Sequence, residues 1–105
     1  PSLWKSVVKS AESPHPYEIN KEFTVTITHP GAKYIRVHFS KIDLEARYDA
    51  VSVIDKKGQT IERLSGTYIN YLTDYLEGDT ATLTLSSDYS VNKWGFQVDK
   101  IQVIE

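Results

Sequence analysis

Glu45 and Asp49 share one polar stretch of the chain, and Asp88 lies in a second, Ser86-Ser87-Asp88-Tyr89-Ser90. Carboxylates brought together repel one another unless a cation neutralises them, and hard oxygen donors select calcium or magnesium. Ser90 and Asn92 lie close enough in sequence to Asp88 to add a backbone carbonyl and an amide oxygen. The competing reading is plainer: acids in the loops of a β protein are usually solvated. On residue types alone the plainer reading is favoured.

Other reactive combinations carry less. His15, His29 and His38 have no partner at a metal-ligand spacing, and His15 and His29 each precede a proline, so they read as turn or surface residues. Ser90 with an Asp and a His makes a triad only on paper, because no nucleophile-elbow motif surrounds it. Glu45 with Asp49 as a glycosidase pair would require a cleft that a 105-residue sandwich does not offer. Zero Cys removes disulfides, zinc–thiolate sites and a thiol nucleophile. The chain therefore reads as non-catalytic. Tyr68, Tyr71 and Tyr75 crowd one connection, and exposed aromatics there would form a sugar-stacking or protein-binding surface. The alternative, that they cap the edges of the core, is preferred because Tyr half-buries readily. Trp94 reads as core or site-lining.

The elements that must position these residues are strands. Glu22 to His29 alternates, with Phe23, Val25 and Ile27 on one face and Thr24, Thr26 and Thr28 on the other. Lys33 to Ser40 repeats the pattern with Ile35, Val37 and Phe39. Ala50 to Ile54, Gln59 to Leu64 and Thr80 to Ser86 follow, with turns at His29-Pro30-Gly31, Asp55-Lys56-Lys57-Gly58 and Glu77-Gly78-Asp79. Leu3 to Lys9 opens the series, and Tyr68 to Leu76 reads as a strand plus a loop. Trp94 to Ile104 closes the chain. There Phe96 and Val98 fall on one parity and Ile101 and Val103 on the other, which either a bulge near Asp99-Lys100 or a switch of the buried face between the strand's two ends reconciles. About eight strands and no helix predict an all-β fold, a two-sheet antiparallel sandwich or jelly roll spanning 1–105.

Composition narrows the partners. A net charge of −2, with no run of Lys or Arg, supplies no electrostatic basis for nucleic acid or an anionic membrane. No apolar stretch approaches the roughly 20 residues that cross a bilayer. The chain reads as a module excised from a longer protein. A small β domain without disulfides needs another staple, and a bound metal is one. The absence of both Cys and Met suits a hot or oxidising setting.

Several short segments, taken in order, resemble a known family. They are Ser13-Pro14-His15-Pro16-Tyr17 with Asn20, Ile27-Thr28-His29-Pro30-Gly31-Ala32, and Phe39 to Leu44-Glu45. Tyr48-Asp49-Ala50-Val51, Leu64-Ser65-Gly66-Thr67-Tyr68, and Ser87-Asp88-Tyr89-Ser90 with Gly95-Phe96 complete the set. From Ser13 onward the chain resembles a CUB domain of the calcium-binding subgroup. The resemblance implies that Glu45, Asp49 and Asp88 ligate one Ca2+, with a carbonyl from Ser90 and with Asn92 as a further oxygen donor. Two departures stand out: the family's disulfide cysteines are missing, and Val91 occupies the place of its frequent Asn, leaving Asn92 one position late.

Cysteine-free domains of this kind resemble accessory domains of secreted prokaryotic subtilisin-like proteases. The opening Glu12 to Tyr17 is also similar to domains of very large eukaryotic ubiquitin-ligase-type proteins. The resemblance implies an extracellular, calcium-stabilised accessory module that confers heat resistance. Its partners would be neighbouring domains of the parent or a protein ligand presenting a basic side chain to a carboxylate edge at Glu45 and Asp49. The alternative is a carbohydrate-binding module with a structural calcium, using Tyr68, Tyr71 and Tyr75.

Overall fold

The computed structural model describes residues 3–105. Its strands are β1 Lys5–Glu12, β2 Glu22–Thr28, β3 Tyr34–Asp43, β4 Ala50–Ile54, β5 Thr60–Leu64, β6 Thr67–Leu72, β7 Leu76–Glu77, β8 Thr80–Ser86 and β9 Gly95–Ile104. One sheet runs β1-β9-β3-β6, with β7 also pairing β3; the other runs β2-β8-β4-β5. Every pairing is antiparallel. No helix occurs among the described residues. The two-sheet antiparallel sandwich expected from the alternation is the fold.

Alternation decides which side chains enter the space between the sheets. Ile35, Val37 and Phe39 of β3, Val51 and Val53 of β4, and Leu83 and Leu85 of β8 are all fully buried or within 1% of it. Burying a side chain of this size stabilises by about 1.5–3 kcal/mol each. With no disulfide, this packing carries most of the fold. Phe96 meets Phe39 edge-on, with ring centroids 5.8 Å apart.

Two bulges let the long central strands keep an apolar face throughout. In β9, Val98 pairs with Phe39 and Lys100 with His38, so Asp99 is the extra residue. The inserted residue flips the parity, and Phe96, Val98, Ile101 and Val103 all point inward at 0% exposure. In β3, Phe39 pairs with Val98 and Lys41 with Gln97, which leaves Ser40 unpaired and brings Ile42 inward. The Ser40 hydroxyl donates to the Gln97 carbonyl at 3.1 Å. The bulge expected near Asp99-Lys100 is therefore present, and a second lies opposite it.

Three boundaries differ from expectation. The first strand begins later and runs on to Glu12, because its pairing with β9 continues past a register shift between Val8 and Ala11. The tyrosine-rich connection is two strands, β6 and the short β7, both paired to β3. Trp94 lies just before β9 and is only half-buried, so it is not a core residue.

The entry to β9 is clamped to the exit from β1. The Ser13 and Phe96 backbones bond at 3.1 Å, and the Phe96 N–H donates to the Ser13 hydroxyl at 3.0 Å. Gly95 makes this approach possible. Its φ is +111°, and a Cβ there would stand 2.0 Å from Ser13 Oγ and 3.1 Å from the Pro14 carbonyl oxygen. Gly95→Ala is expected to destabilise the domain by about 2 kcal/mol or more, the sum of backbone strain and the clash. A denaturation midpoint equal to that of the wild type would show that the clamp yields without cost.

Candidate metal centre

Three connections meet at one end of the sandwich. Residues 13–21 link β1 to β2, residues 44–49 link β3 to β4, and residues 87–94 link β8 to β9. Tyr17, in the first, is 1% exposed. A buried tyrosine needs a partner for its hydroxyl, and Tyr17 has two. The hydroxyl donates to Asp49 Oδ2 at 2.6 Å and accepts from the Glu45 backbone N–H at 3.1 Å. Burial, reinforced by the bond to Asp49, pushes its phenol up to about 12.

Asp49 is fully buried. Besides the tyrosine, it accepts the Asp88 backbone N–H on Oδ1 at 3.0 Å, which fastens the third connection to the second. The 44–49 turn is closed by a bond from the Asp49 N–H to the Glu45 carbonyl at 3.1 Å. Ser65 braces it by donating to the Asp49 carbonyl at 2.7 Å and accepting from the Arg47 N–H at 2.8 Å. Asn20 N–H donates to the Asp88 carbonyl at 2.5 Å, and Asn92 Nδ2 donates to the Tyr17 carbonyl at 2.7 Å.

Inside this framework Glu45, Asp49 and Asp88 each offer a carboxylate oxygen, and these atoms all lie within 4.8 Å of one another. Glu45 Oε1 is buried and has no hydrogen-bond partner. Burial, followed by the negative charges of Asp88 and Asp49, raises the Glu45 carboxyl above the usual carboxylate range, with Lys93 pulling weakly the other way. A buried acceptor without a donor, set between two more carboxylates, is an arrangement that a proton or a hard cation relieves. The donor set is all oxygen, so it fits calcium or magnesium and not a soft metal.

A family model described as CUB domain matches residues 4–99. The chain belongs to the CUB family. Among curated relatives, E3 ubiquitin-protein ligase HERC2 of Homo sapiens is 33% identical over 89 residues, 82% of this chain and 2% of that one. The human Zinc finger ZZ-type and EF-hand domain-containing protein 1 is 30% identical over 93 residues, 86% of this chain and 3% of its own. The chain thus spans only a few per cent of the curated relatives it matches. A solved structure of the CUB1-EGF-CUB2 region of human MASP-1/3 superposes with a TM-score of 0.73 at 22% identity, covering 99% of this chain and 43% of the other. That likeness shows the fold. CUB domains are generally non-catalytic, often mediate protein interactions within multidomain proteins, and commonly bind calcium.

This CUB domain gathers the three expected acids at one point. Asp49 is sealed from solvent, so a carboxylate edge facing a partner would belong to the half-buried Glu45 and Asp88, not to Glu45 and Asp49. The Ser90 N–H donates to Asp88 Oδ1 at 3.2 Å, and the Asn92 Nδ2 donates to the Tyr17 carbonyl. Neither bond involves the Ser90 carbonyl or the Asn92 amide oxygen, the atoms expected as further donors. Tyr68 and Tyr71 pack against the core, tilted 59° to each other, while Tyr75 meets Tyr34 edge-on at 5.6 Å. The three do not form one flat row. Trp94 stacks on His15 at 3.8 Å, and the His15 ring nitrogens are held by the Trp94 carbonyl and by Glu12, each at 2.6 Å. Tyr17 is the residue that sequence reasoning left as mere motif. Its position beside two prolines gave no sign that its hydroxyl would reach across to a carboxylate.

Val91 has a φ of +47°, a region a β-branched side chain enters only under strain. Asn, which tolerates that conformation, is expected to stabilise the domain by about 1 kcal/mol in Val91→Asn; an unchanged melting temperature would count against strain at this point. Glu45 gives a pH signature. Its folded-state carboxyl holds its proton more tightly than the unfolded chain does, so without metal its contribution to stability is present at low pH. That contribution is lost as pH rises through its elevated folded-state range. Glu45→Gln is expected to flatten this slope in pH-dependent melting of chelator-treated protein.

Proposed function

We propose that this chain is a single, non-catalytic CUB module whose loop end is set by one calcium ion held by Glu45, Asp49 and Asp88. The observation that carries the reading is the buried, partnerless Glu45 Oε1 beside two further carboxylates. Water and a loop carbonyl, Ser90 among the candidates, would complete the coordination shell. Bound calcium supplies positive charge to a cluster whose members otherwise repel. The chain's own residues do the rest. Tyr17 holds Asp49 and the Glu45 backbone in place, Asp49 holds the Asp88 backbone, and Asn20 and Asn92 bind the surrounding loops.

An ion that binds the folded form alone stabilises it by mass action, so a domain without disulfides gains heat resistance. The same order would present Glu45 and Asp88 to a basic side chain of a protein partner through charge-assisted hydrogen bonds. The parent we propose is a secreted multidomain protein, with a subtilisin-like protease as its type. Family resemblance supports that setting, whereas the curated relatives are very long chains, one of them named for ubiquitin ligation. Recovering the parent from culture medium or from cells separates the two. Glycan binding gains no support from the aromatic geometry, since Tyr75 stands apart from Tyr68 and Tyr71.

Thermal unfolding with excess calcium and with chelator tests the site. Calcium is expected to raise the melting temperature of the wild type, by the equivalent of about 2.7 kcal/mol at one hundred times its dissociation constant. Asp49→Ala and Glu45→Gln are expected to abolish the rise. Glu45→Gln keeps the Tyr17–Asp49 bond, so a loss of response there is a loss of binding, not of fold. A calcium-insensitive wild type would sink the proposal and leave the cluster as a loop end without an ion.

A further inference from the structure

Among the described residues five strands form sheet edges: β1, β6 and the two-residue β7 in one sheet, β2 and β5 in the other. Exposed edges invite pairing with other chains, and natural proteins blunt them with charges, bulges or breaks. Four of the five are blunted here, β7 by its length of two residues. β1 carries Lys5, Lys9 and Glu12 and has a register shift between Val8 and Ala11. β5 carries Glu62 and Arg63 beside an irregularity at Val53/Ile54. β6 is interrupted by Asn70 at a φ of +52°.

β2 has none of these devices. Its sequence is Glu-Phe-Thr-Val-Thr-Ile-Thr, with its only charge at the first position, and it pairs with β8 without a break from Glu22 to Thr28. The direction of its free groups follows from the bonds that flank it. Ser87 N–H donates to the Lys21 carbonyl and His29 N–H to the Asp79 carbonyl. Lys21 and His29 are thus hydrogen-bonded partners of the β8 side. Antiparallel ladders alternate, so Phe23, Val25 and Ile27 also bond toward β8. The N–H and C=O groups of Glu22, Thr24, Thr26 and Thr28 point away from β8, where the sheet has no further strand. Phe23 and Val25, at this edge, are only partly covered by the core.

We propose that this edge pairs with β2 of a second copy of the chain, antiparallel and centred on Val25. The sequence is self-complementary in that register alone across the whole strand. Glu22 faces Thr28 of the other copy, Thr24 faces Thr26, Phe23 faces Ile27, and Val25 faces itself. Outward-pointing backbone groups meet outward-pointing backbone groups, the apolar residues stay on the inner face, and the threonines stay on the outer. No like charges meet. The result is a sheet continuous through both copies, with Phe23 and Val25 covered.

Sedimentation velocity of the full chain over a range of concentrations, in calcium and in chelator, tests this independently of the metal site. A monomer–dimer equilibrium is expected in both. Thr26→Pro removes an N–H that does not bond to β8, so it is expected to leave the fold and weaken dimerisation roughly tenfold or more. Thr26→Lys is the second variant should the proline perturb folding by circular dichroism. The chain contains no Cys, so single cysteines report the register. Val25→Cys is expected to form a disulfide-linked dimer on mild oxidation, since facing residues of a non-hydrogen-bonded pair lie about 4.5 Å apart at Cα. Thr24→Cys is expected not to. A monomer at every concentration overturns the proposal. So does a dimer indifferent to both Thr26 variants, or cross-linking of Thr24→Cys as ready as that of Val25→Cys.

Discussion

The buried carboxylate of Asp49 is the interaction on which the functional end depends. A carboxyl group at 0% exposure is costly unless hydrogen bonds compensate it. Asp49 receives one bond from the Tyr17 hydroxyl and one from the Asp88 backbone, and each comes from a different connection. Satisfying a single side chain therefore draws three loops together. Glu45 is held in the same framework by its backbone, which leaves its own Oε1 without a donor. The order of the loops and the unsatisfied oxygen among them have one cause.

The opposite constraint governs the body of the sandwich. β3 and β9 are the longest strands and the centre of their sheet, so they must present apolar side chains over ten residues each. Their apolar residues change parity part-way along, so strict alternation would turn part of each apolar set outward. The facing irregularities at Ser40 and Asp99 reset the parity in both strands. His38 then lies beside Asp99, bonded at 2.5 Å, and this bond holds the Asp99 carboxyl below its ordinary range against the opposing effect of burial. The bulge is a packing device whose polar by-product is satisfied locally.

Without disulfides, this CUB domain divides its stabilisation between the core and the loop end. The core is apolar and complete, whereas the loop end is polar and holds a charge cluster that a cation would balance. The clamp between Ser13 and Phe96 links the two, because the close approach at the start of β9 depends on the backbone conformation of Gly95. The curated relatives contain this unit as a small fraction of very long chains, which accords with a domain whose folding rests on its own core.

Alternation alone determined the all-β class, the placement of most strands, and the inward sets Ile35–Val37–Phe39 and Leu83–Leu85, because a period of two leaves one face for the core. It also exposed the change of parity in β9, but whether a bulge or a switch of the buried face reconciles it was decided by the register with β3, in which Asp99 is the extra residue. The ordered segments around Glu45, Asp49 and Asp88 brought those acids under suspicion. Tertiary structure decided what they are. Sequence distance says nothing of which loops share an end of the sandwich, so the approach of the three carboxylates within 4.8 Å, the burial of Asp49 and the part of Tyr17 were settled by folding. The same holds for Tyr68, Tyr71 and Tyr75: sequence offered a surface or, preferred, a cap on the core edges, and pairing of β6 and β7 with β3 turned two toward the core and sent the third to Tyr34. Local pattern fixes which face a residue takes; only the packing of the sheets decides which residue it meets.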